Sequence, residues 1–215
     1  MIELEKVTIS RGGRILLRDI SILVEVGEKA VVTGTSGCGK TSLLSAIVGC
    51  FPVDDGSIKV DGIILDCKSV REVRHKVAFI GQEPVLGANS VKDAMKLPFS
   101  FHANRKKMPL EDEIIATLER LHLSKDIYNK ECKSISGGER QRIAIARALL
   151  LGKQIFIADE LTSALDKKSA STIVGIFKEL DVTMLSVSHD QMWIAEQDKV
   201  YKFDEANRVL SERSH

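Results

Sequence analysis

The chain has no uninterrupted apolar run of roughly 18 residues, so nothing in its sequence reads as a membrane-spanning helix. Charges are scattered through its first turns of sequence, which excludes a secretory signal peptide. Any tie to a membrane has to come through a separate polypeptide. No CxxC occurs. The four cysteines, Cys38, Cys50, Cys67 and Cys132, are far apart, which argues against a zinc site and fits free thiols in a reducing cytosol. No charge of one sign dominates: 31 Lys and Arg against 30 Asp and Glu leave a formal net charge of +1. That balance excludes a generally basic nucleic-acid binder, though not a local basic patch. There is no internal repeat, low-complexity stretch or charge block. With 44% hydrophobic and 28% charged residues the composition is that of a folded globular protein. At 215 residues the chain is one large domain, or one with a subdomain, and its core needs no disulfide or zinc staple.

The apolar pattern places the elements. Ile2 and Leu4, then Val7 and Ile9 after a break in register, read as an early strand. Ile20, Ile22, Val24 and Val26 read as a second, with Gly12-Gly13 as the hairpin turn between them. Ala30–Thr33, Val77–Ile80, Ile155–Ala158 and Met184–Val187 are short runs apolar on both faces, which suits buried strands of a parallel sheet. Ile173, Ile176, Phe177 and Leu180 form a helical stripe between two of these runs, giving a βαβ crossover. From about 88 to 148 strand runs disappear. Leu110, Ile114, Leu118 and Leu121 fall at helical spacing behind three acids, Glu111–Glu113, that suit a helix N-terminus. The expected fold is α/β: a mostly parallel sheet with a phosphate-loop core over 1–87 and 149–215, an N-terminal antiparallel β subdomain, and a helical subdomain inserted at 88–148.

Gly34-Thr35-Ser36-Gly37-Cys38-Gly39-Lys40-Thr41 matches GxxxxGK[ST], with a strand before it and the helical residues Leu43, Leu44, Ile47 and Val48 after it. Glycines let backbone N–H groups converge on phosphate oxygens, and the helix starting near Lys40 adds its positive end. In this reading Lys40 neutralises the β- and γ-phosphates, Thr41 is a Mg²⁺ ligand, and Ser42 belongs with the nucleotide-holding residues. Cys38 sits inside the loop, and bound nucleotide is expected to shield it from alkylation. Asp159-Glu160 closes the strand Ile155–Ala158, at the carboxyl end where open α/β sheets bind ligands. Asp159 would hold Mg²⁺, and Glu160 would act as the general base toward the attacking water.

Ser136-Gly137-Gly138-Glu139 has capping-box spacing, followed by a helical apolar pattern from Ile143. A Gly-Gly helix start exposes backbone N–H groups, a second anion-binding feature that one phosphate loop does not need and a head-to-tail dimer does. Ile135–Arg142 resembles the signature motif of the ABC-transporter ATPases. The likeness runs from the first strands to His189 in family order: Gln82 is similar to the Q-loop glutamine, Asp159-Glu160 to Walker B, Ser163–Asp166 to the D-loop and His189 to the switch histidine.

The resemblance implies two chains sandwiching two ATP molecules. Each ATP would lie between Lys40 of one copy and Ser136, Gly137 and Gly138 of the other. It implies that Gln82 touches Mg²⁺, the attacking water and the permease interface, that His189 contacts the γ-phosphate and positions Glu160, and that Asp166 couples the two sites. It also implies a separate transmembrane permease, no nucleic-acid partner, and a cytoplasmic location at the inner face of the plasma membrane. The family's adenine-stacking aromatic is replaced by Arg11, either a stacking guanidinium or a solvated charge. Leu161-Thr162 stands where many relatives have Pro-Thr. Gln82–Leu86 resembles exporter ATPases. Leu97-Pro98-Phe99 and Leu161-Thr162-Ser163 are similar to a small bacterial subgroup paired with metal-exporting permeases. Three other readings remain open. A soluble ATPase acting on ribosome or DNA would show paired cassettes or a long coiled-coil insertion. A switch without turnover would not need Glu160 and His189. A small-molecule kinase would not need Ser136–Gly138.

Overall fold

A computed structural model describes residues 1–35, 37–204 and 209–214. The chain forms two compact units: Met1–Phe79 with Gln154–Glu160 and Leu180–His215, and Ile80–Lys153 with Leu161–Glu179.

The first unit carries two sheets. The antiparallel one, ordered β2-β1-β4-β5, contains β1 (Ile2–Arg11), β2 (Arg14–Val24), β4 (Asp55–Val60) and β5 (Ile63–Ile64). The break in the apolar pattern after Leu4 is a real irregularity: the β1–β2 register shifts between Leu4 and Val7, where Lys6 adopts φ 49°. The extra residue returns Val7 and Ile9 to the buried face. Gly12 and Gly13 form the expected turn. Val26 falls outside β2 and is 78% exposed, so the alternation ends at Val24.

The second sheet is ordered β10-β9-β3-β8-β7-β6, from β3 (Lys29–Thr33), β6 (Val77–Ile80), β7 (Ile155–Asp159), β8 (Thr183–Val187), β9 (Lys199–Asp204) and β10 (Val209–Ser214). β3 runs parallel to β8 and β9, and β7 runs parallel to β8. β10 is an antiparallel edge on β9. Every residue of β7 and β8 is buried, as runs apolar on both faces require. Helix α1 (Lys40–Ile47) follows β3, and α2 (Val70–Lys76) leads into β6. Side chains of β1, β2 and β4 share one core with Leu43, Leu44 and Ile47 of α1 and with Val32, Ile157 and Leu185 of the second sheet. Each such side chain contributes about 1.5–3 kcal/mol of burial, and together they hold the loop between β3 and α1 from beneath.

The second unit is helical: α3 (Val91–Ser100), α4 (Glu111–Arg120), α5 (Gly137–Leu150) and α6 (Lys167–Glu179), with short 3₁₀ turns between. The stripe expected along α4 is buried at Ile114, Leu118 and Leu121, while Leu110 precedes the helix at 76% exposure.

Helix α7 (Gln191–Ala195) returns to the first unit. The chain's single tryptophan, Trp193, is 1% exposed on it. Its Nε1–H donates to Ser186 Oγ at 3.0 Å, and that hydroxyl donates to the Ala30 carbonyl at 3.1 Å. The chain of bonds fastens α7 to β8 and β3. Trp193→Phe leaves the Ser186 hydroxyl without its donor and is expected to destabilise the fold by about 1–3 kcal/mol. Denaturant unfolding followed by circular dichroism checks this.

Candidate functional site

The phosphate loop leaves β3 at Thr33 and enters α1 at Lys40. A Cβ on Gly34 would lie 2.9 Å from Phe203 Cβ and 3.1 Å from the Phe203 carbonyl oxygen, at φ 148°. Only glycine fits against β9 there. Gly37 and Thr35 are exposed, and Ser36 lies outside the described residues. Gly39 is the N-cap of α1, with no side-chain cap, so the first N–H groups of the helix are spent on no side chain of the cap residue.

Lys40 is 7% exposed and folds back on its own loop. Its Nζ donates to the carbonyls of Gly34 at 2.8 Å and Thr35 at 2.7 Å, and lies 3.6 Å from Cys38 Sγ. The ammonium therefore closes the loop through backbone oxygens, and a phosphate would exchange those bonds for its own. Cys38 is 6% exposed and belongs to the core. The protein itself already buries the thiol, before any nucleotide adds its own shielding.

Thr41 Oγ1 donates to Asp159 Oδ2 at 2.8 Å, joining the start of α1 to the end of β7. Asp159 is 2% exposed, and its Oδ1 is buried with no hydrogen-bond partner among the described residues. Burial pushes this carboxyl above the usual range, against the opposing pull of the Thr41 hydrogen bond and the Lys40 charge. An orphaned carboxylate oxygen beside a threonine hydroxyl is the donor set of a hard cation such as Mg²⁺. Among the described residues no three His, Cys, Asp or Glu side chains gather to hold a metal unaided. The pair therefore fits an ion that keeps waters and phosphate oxygens for its remaining positions.

Glu160 follows β7 with φ 51°, a left-handed conformation costing about 1–3 kcal/mol in a non-glycine residue. Its N–H donates to the Val187 carbonyl at 2.9 Å, which holds the strained turn onto β8. Burial raises its carboxyl above the ordinary range, with His189 pulling the other way and the charge of Asp159 adding to the rise. His189 Nε2 lies 3.5 Å from Glu160 Oε1, with the imidazole half exposed. The first unit thus brings together the phosphate loop, Thr41, Ser42, Asp159, Glu160 and His189. Arg11 lies in the same unit, exposed at the end of β1 and opposite Arg14 in register.

Gln82, Ser136–Gly138 and Asp166 belong to the second unit. Ser136 caps α5 in a complete capping box: Glu139 N–H donates to Ser136 Oγ at 3.2 Å, and Ser136 N–H donates to Glu139 Oε2 at 2.7 Å. Backbone and hydroxyl donation to Glu139 lower its carboxyl pKa against its own partial burial. A Cβ on Gly138 would sit 3.1 Å from the Ala164 carbonyl, so the signature glycine packs directly on the D-loop segment. Asp166 accepts from Ser169 N–H at 3.0 Å and Ser169 Oγ at 2.7 Å, capping the start of α6. Arg142 of α5 also donates to Ser169 Oγ and lies 3.7 Å from Asp166 Oδ2. Sequence reasoning missed Arg142, which ties the D-loop to the signature helix; its place two turns into an amphipathic helix carried no signal of that partner. It also missed Arg147, whose guanidinium donates to the carbonyls of Leu86 at 3.0 Å and Val85 at 3.3 Å. Gln82 is exposed and, with residues 83–88, lines a cavity of about 460 Å³ shared with Cys132, Gly137, Arg140, Gln141 and Ala164.

The family model described as "ABC transporter" matches residues 17–163. The glutamate/aspartate import ATP-binding protein GltL of Escherichia coli (strain K12) is 35% identical over 196 residues, covering 88% of this chain and 81% of that protein. The "Probable iron export ATP-binding protein FetA" of the same strain is 29% identical over 204 residues, covering 93% and 89%. Other curated relatives are far longer, and the chain spans 14% of one and 29% of another. A dimeric ATP-binding cassette solved in a post-hydrolysis state with ADP and Pi superposes with a TM-score of 0.85 at 25% identity, covering 100% of this chain and 98% of that one.

The raised Asp159 carboxyl has a consequence for stability. The folded state keeps this proton to higher pH than the unfolded chain, so the group's favourable contribution is present below the usual carboxylate range and is lost as pH rises through the folded value. Asp159→Asn is therefore expected to raise the melting temperature of the nucleotide-free protein at pH 7 to 8, with the gap closing as pH falls through the raised folded value and gone below about 4. Calorimetry across that range reads it.

Proposed function

The chain belongs to the ABC transporter family, and we propose that it is the ATP-hydrolysing subunit that drives a separate membrane permease, closing head to tail on ATP with a second copy of itself. The observation that carries this is the presence, on one chain, of two complementary half-sites. One holds the phosphate loop with Thr41, Asp159, Glu160 and His189. The other is the capped Gly-Gly start of α5.

In this mechanism the polyphosphate of ATP enters the loop at Gly34–Gly39, and Lys40 gives up the Gly34 and Thr35 carbonyls to pair with the β- and γ-phosphates. Thr41 and Asp159 would hold Mg²⁺, with Gln82 as a further ligand; the ion would offset charge on the β- and γ-oxygens. Ser42 supports the same phosphates. Glu160 takes the proton of the attacking water, a task its burial-raised carboxyl suits. His189 steadies Glu160 from 3.5 Å and faces the γ-phosphate. Ser136, Gly137 and Gly138 of the second copy present hydroxyl and backbone N–H groups to that phosphate. Asp166, holding α6 and Arg142 together, relays between the two sites. Arg11 covers the adenine.

Residues 1–87 and 149–215 act as the nucleotide-binding core and 88–148 as the helical subdomain. The segment after Gln82 meets the permease, which places the chain at the inner face of the plasma membrane. The likeness to FetA, named for iron export, and the exporter-like Gln82–Leu86 favour export of a metal ion. A balanced net charge of +1 speaks against a nucleic-acid partner.

Glu160→Gln is expected to bind ATP without turnover and to dimerise in its presence, by light scattering with Mg²⁺. Ser136→Arg in the same background should return the monomer while leaving ATP binding intact. A Glu160→Gln chain that stays monomeric with ATP and Mg²⁺ would count against the sandwich.

A further inference from the structure

One cavity beside the phosphate loop shares only His189 with the mechanism above. It measures about 260 Å³ and is lined by Thr33, His189, Gln191, Ile194, Val200 and Lys202. Thr33 ends β3 directly before Gly34, His189 follows β8, and Lys202 lies on β9 opposite Thr33 in register. The cavity therefore opens at the carboxyl ends of three neighbouring parallel strands, where sheets of this kind bind ligands.

Its chemistry is one-sided. Thr33 brings a hydroxyl, Gln191 a carboxamide, His189 an imidazole and Lys202 an ammonium, and no carboxylate lines it among the described residues. Alternation along β9 explains how the ammonium comes to be there. Tyr201 and Phe203, 3% and 4% exposed, turn into the core, so Lys202 projects from the other face. The Lys202 side chain has no ion-pair or hydrogen-bond partner among the described residues. The Asp190 carboxylate, next along the chain from His189, is spent on the N–H of Met192 at 2.9 Å. A water occupies about 30 Å³ of liquid, so the volume has room for one tetrahedral oxyanion with several waters.

His189 is the link to the reaction. Its ring borders the Glu160 carboxylate at 3.5 Å and also forms part of the cavity wall. One imidazole thus touches both the Glu160 carboxylate and the cavity that Lys202 lines.

We propose that Thr33, His189, Gln191 and Lys202 form a second oxyanion site, outside the phosphate loop, that receives the inorganic phosphate left by hydrolysis. The assignment of product phosphate rests on the hydrolytic reading above; the site itself does not. Lys202 supplies the counter-charge, and the three neutral or titratable donors orient the oxygens. No bond is made or broken there.

The first test uses the full chain with Lys40→Ala, which silences the phosphate loop, and inorganic phosphate as the probe, followed by phosphorus NMR line broadening. The ADP-saturated wild-type chain serves as a second background should that variant fold poorly. Saturable binding is expected, weakened about tenfold by adding Lys202→Met, with Gln191→Leu as the companion variant. Absence of saturable binding, or binding indifferent to both substitutions, overturns the site. The second test separates product from free phosphate. In a single turnover of the otherwise wild-type chain, Lys202→Met should leave ATP cleavage, read by acid quench, unchanged while altering phosphate release, read by a fluorescent phosphate sensor, several-fold. Release that keeps pace with wild type overturns the product assignment and leaves a site for free phosphate. If the wild-type chain cleaves no ATP, the hydrolytic reading fails, and the binding test still decides the site.

Discussion

The hydrogen bond from Thr41 to Asp159 is the contact on which the rest of the site depends. It joins the first turn of the helix that leaves the phosphate loop to the last residue of a fully buried strand. A carboxylate at 2% exposure is costly, and one of its oxygens has no protein partner among the described residues. The surrounding core of the two sheets and α1 is what keeps it there. Without that core the carboxylate would turn to water, and Thr41 would have no fixed position relative to β7. The same kind of burial raises the neighbouring Glu160 carboxyl, so both acids owe their raised proton affinity to one physical cause.

A second constraint governs the helical unit. The start of α5 is held twice over: a complete capping box fixes Ser136, while Gly138 lies so close to the Ala164 carbonyl that an added Cβ would press on it at 3.1 Å. Arg142, Ser169 and Asp166 then bind α5 to the start of α6. In the proposed mechanism these two segments act on the same bound nucleotide from the second copy. Within one unit, Arg142 and Ser169 link Asp166 to the helix that begins at Gly137. Arg147, further along α5, holds the carbonyls of Val85 and Leu86. The helix thus carries contacts to the signature loop, the D-loop and the segment after Gln82 along its length.

The phosphate loop, the acid pair and the capping box are legible in the residue order because they are local. Their chemistry is set by residue types a few positions apart, and both strand runs and helical stripes report their own periodicity. The strands β4, β5, β9 and β10 and the helix α2 are not legible in that way. They are short and mixed in pattern; β4 and β9 are held by strands distant in sequence, β1 and β3, and β5 and β10 form only as edges on β4 and β9. The partners of Arg142 and Arg147 are hidden for the same reason.

By itself the sequence determined the α/β class and the family, and it supplied the residues proposed for phosphate, cation and base chemistry. Those properties depend on order and spacing along the chain. Tertiary structure alone decided that Lys40 is folded onto its own loop carbonyls, that the Cys38 thiol is buried, that Glu160 is held in a left-handed turn by Val187, and that Lys202 faces a cavity bordered by His189. Each of these depends on which side of a packed sheet a side chain leaves from and on what a distant strand places beside it. A carboxylate's burial, and with it its proton affinity, is a property of that packing rather than of the residue.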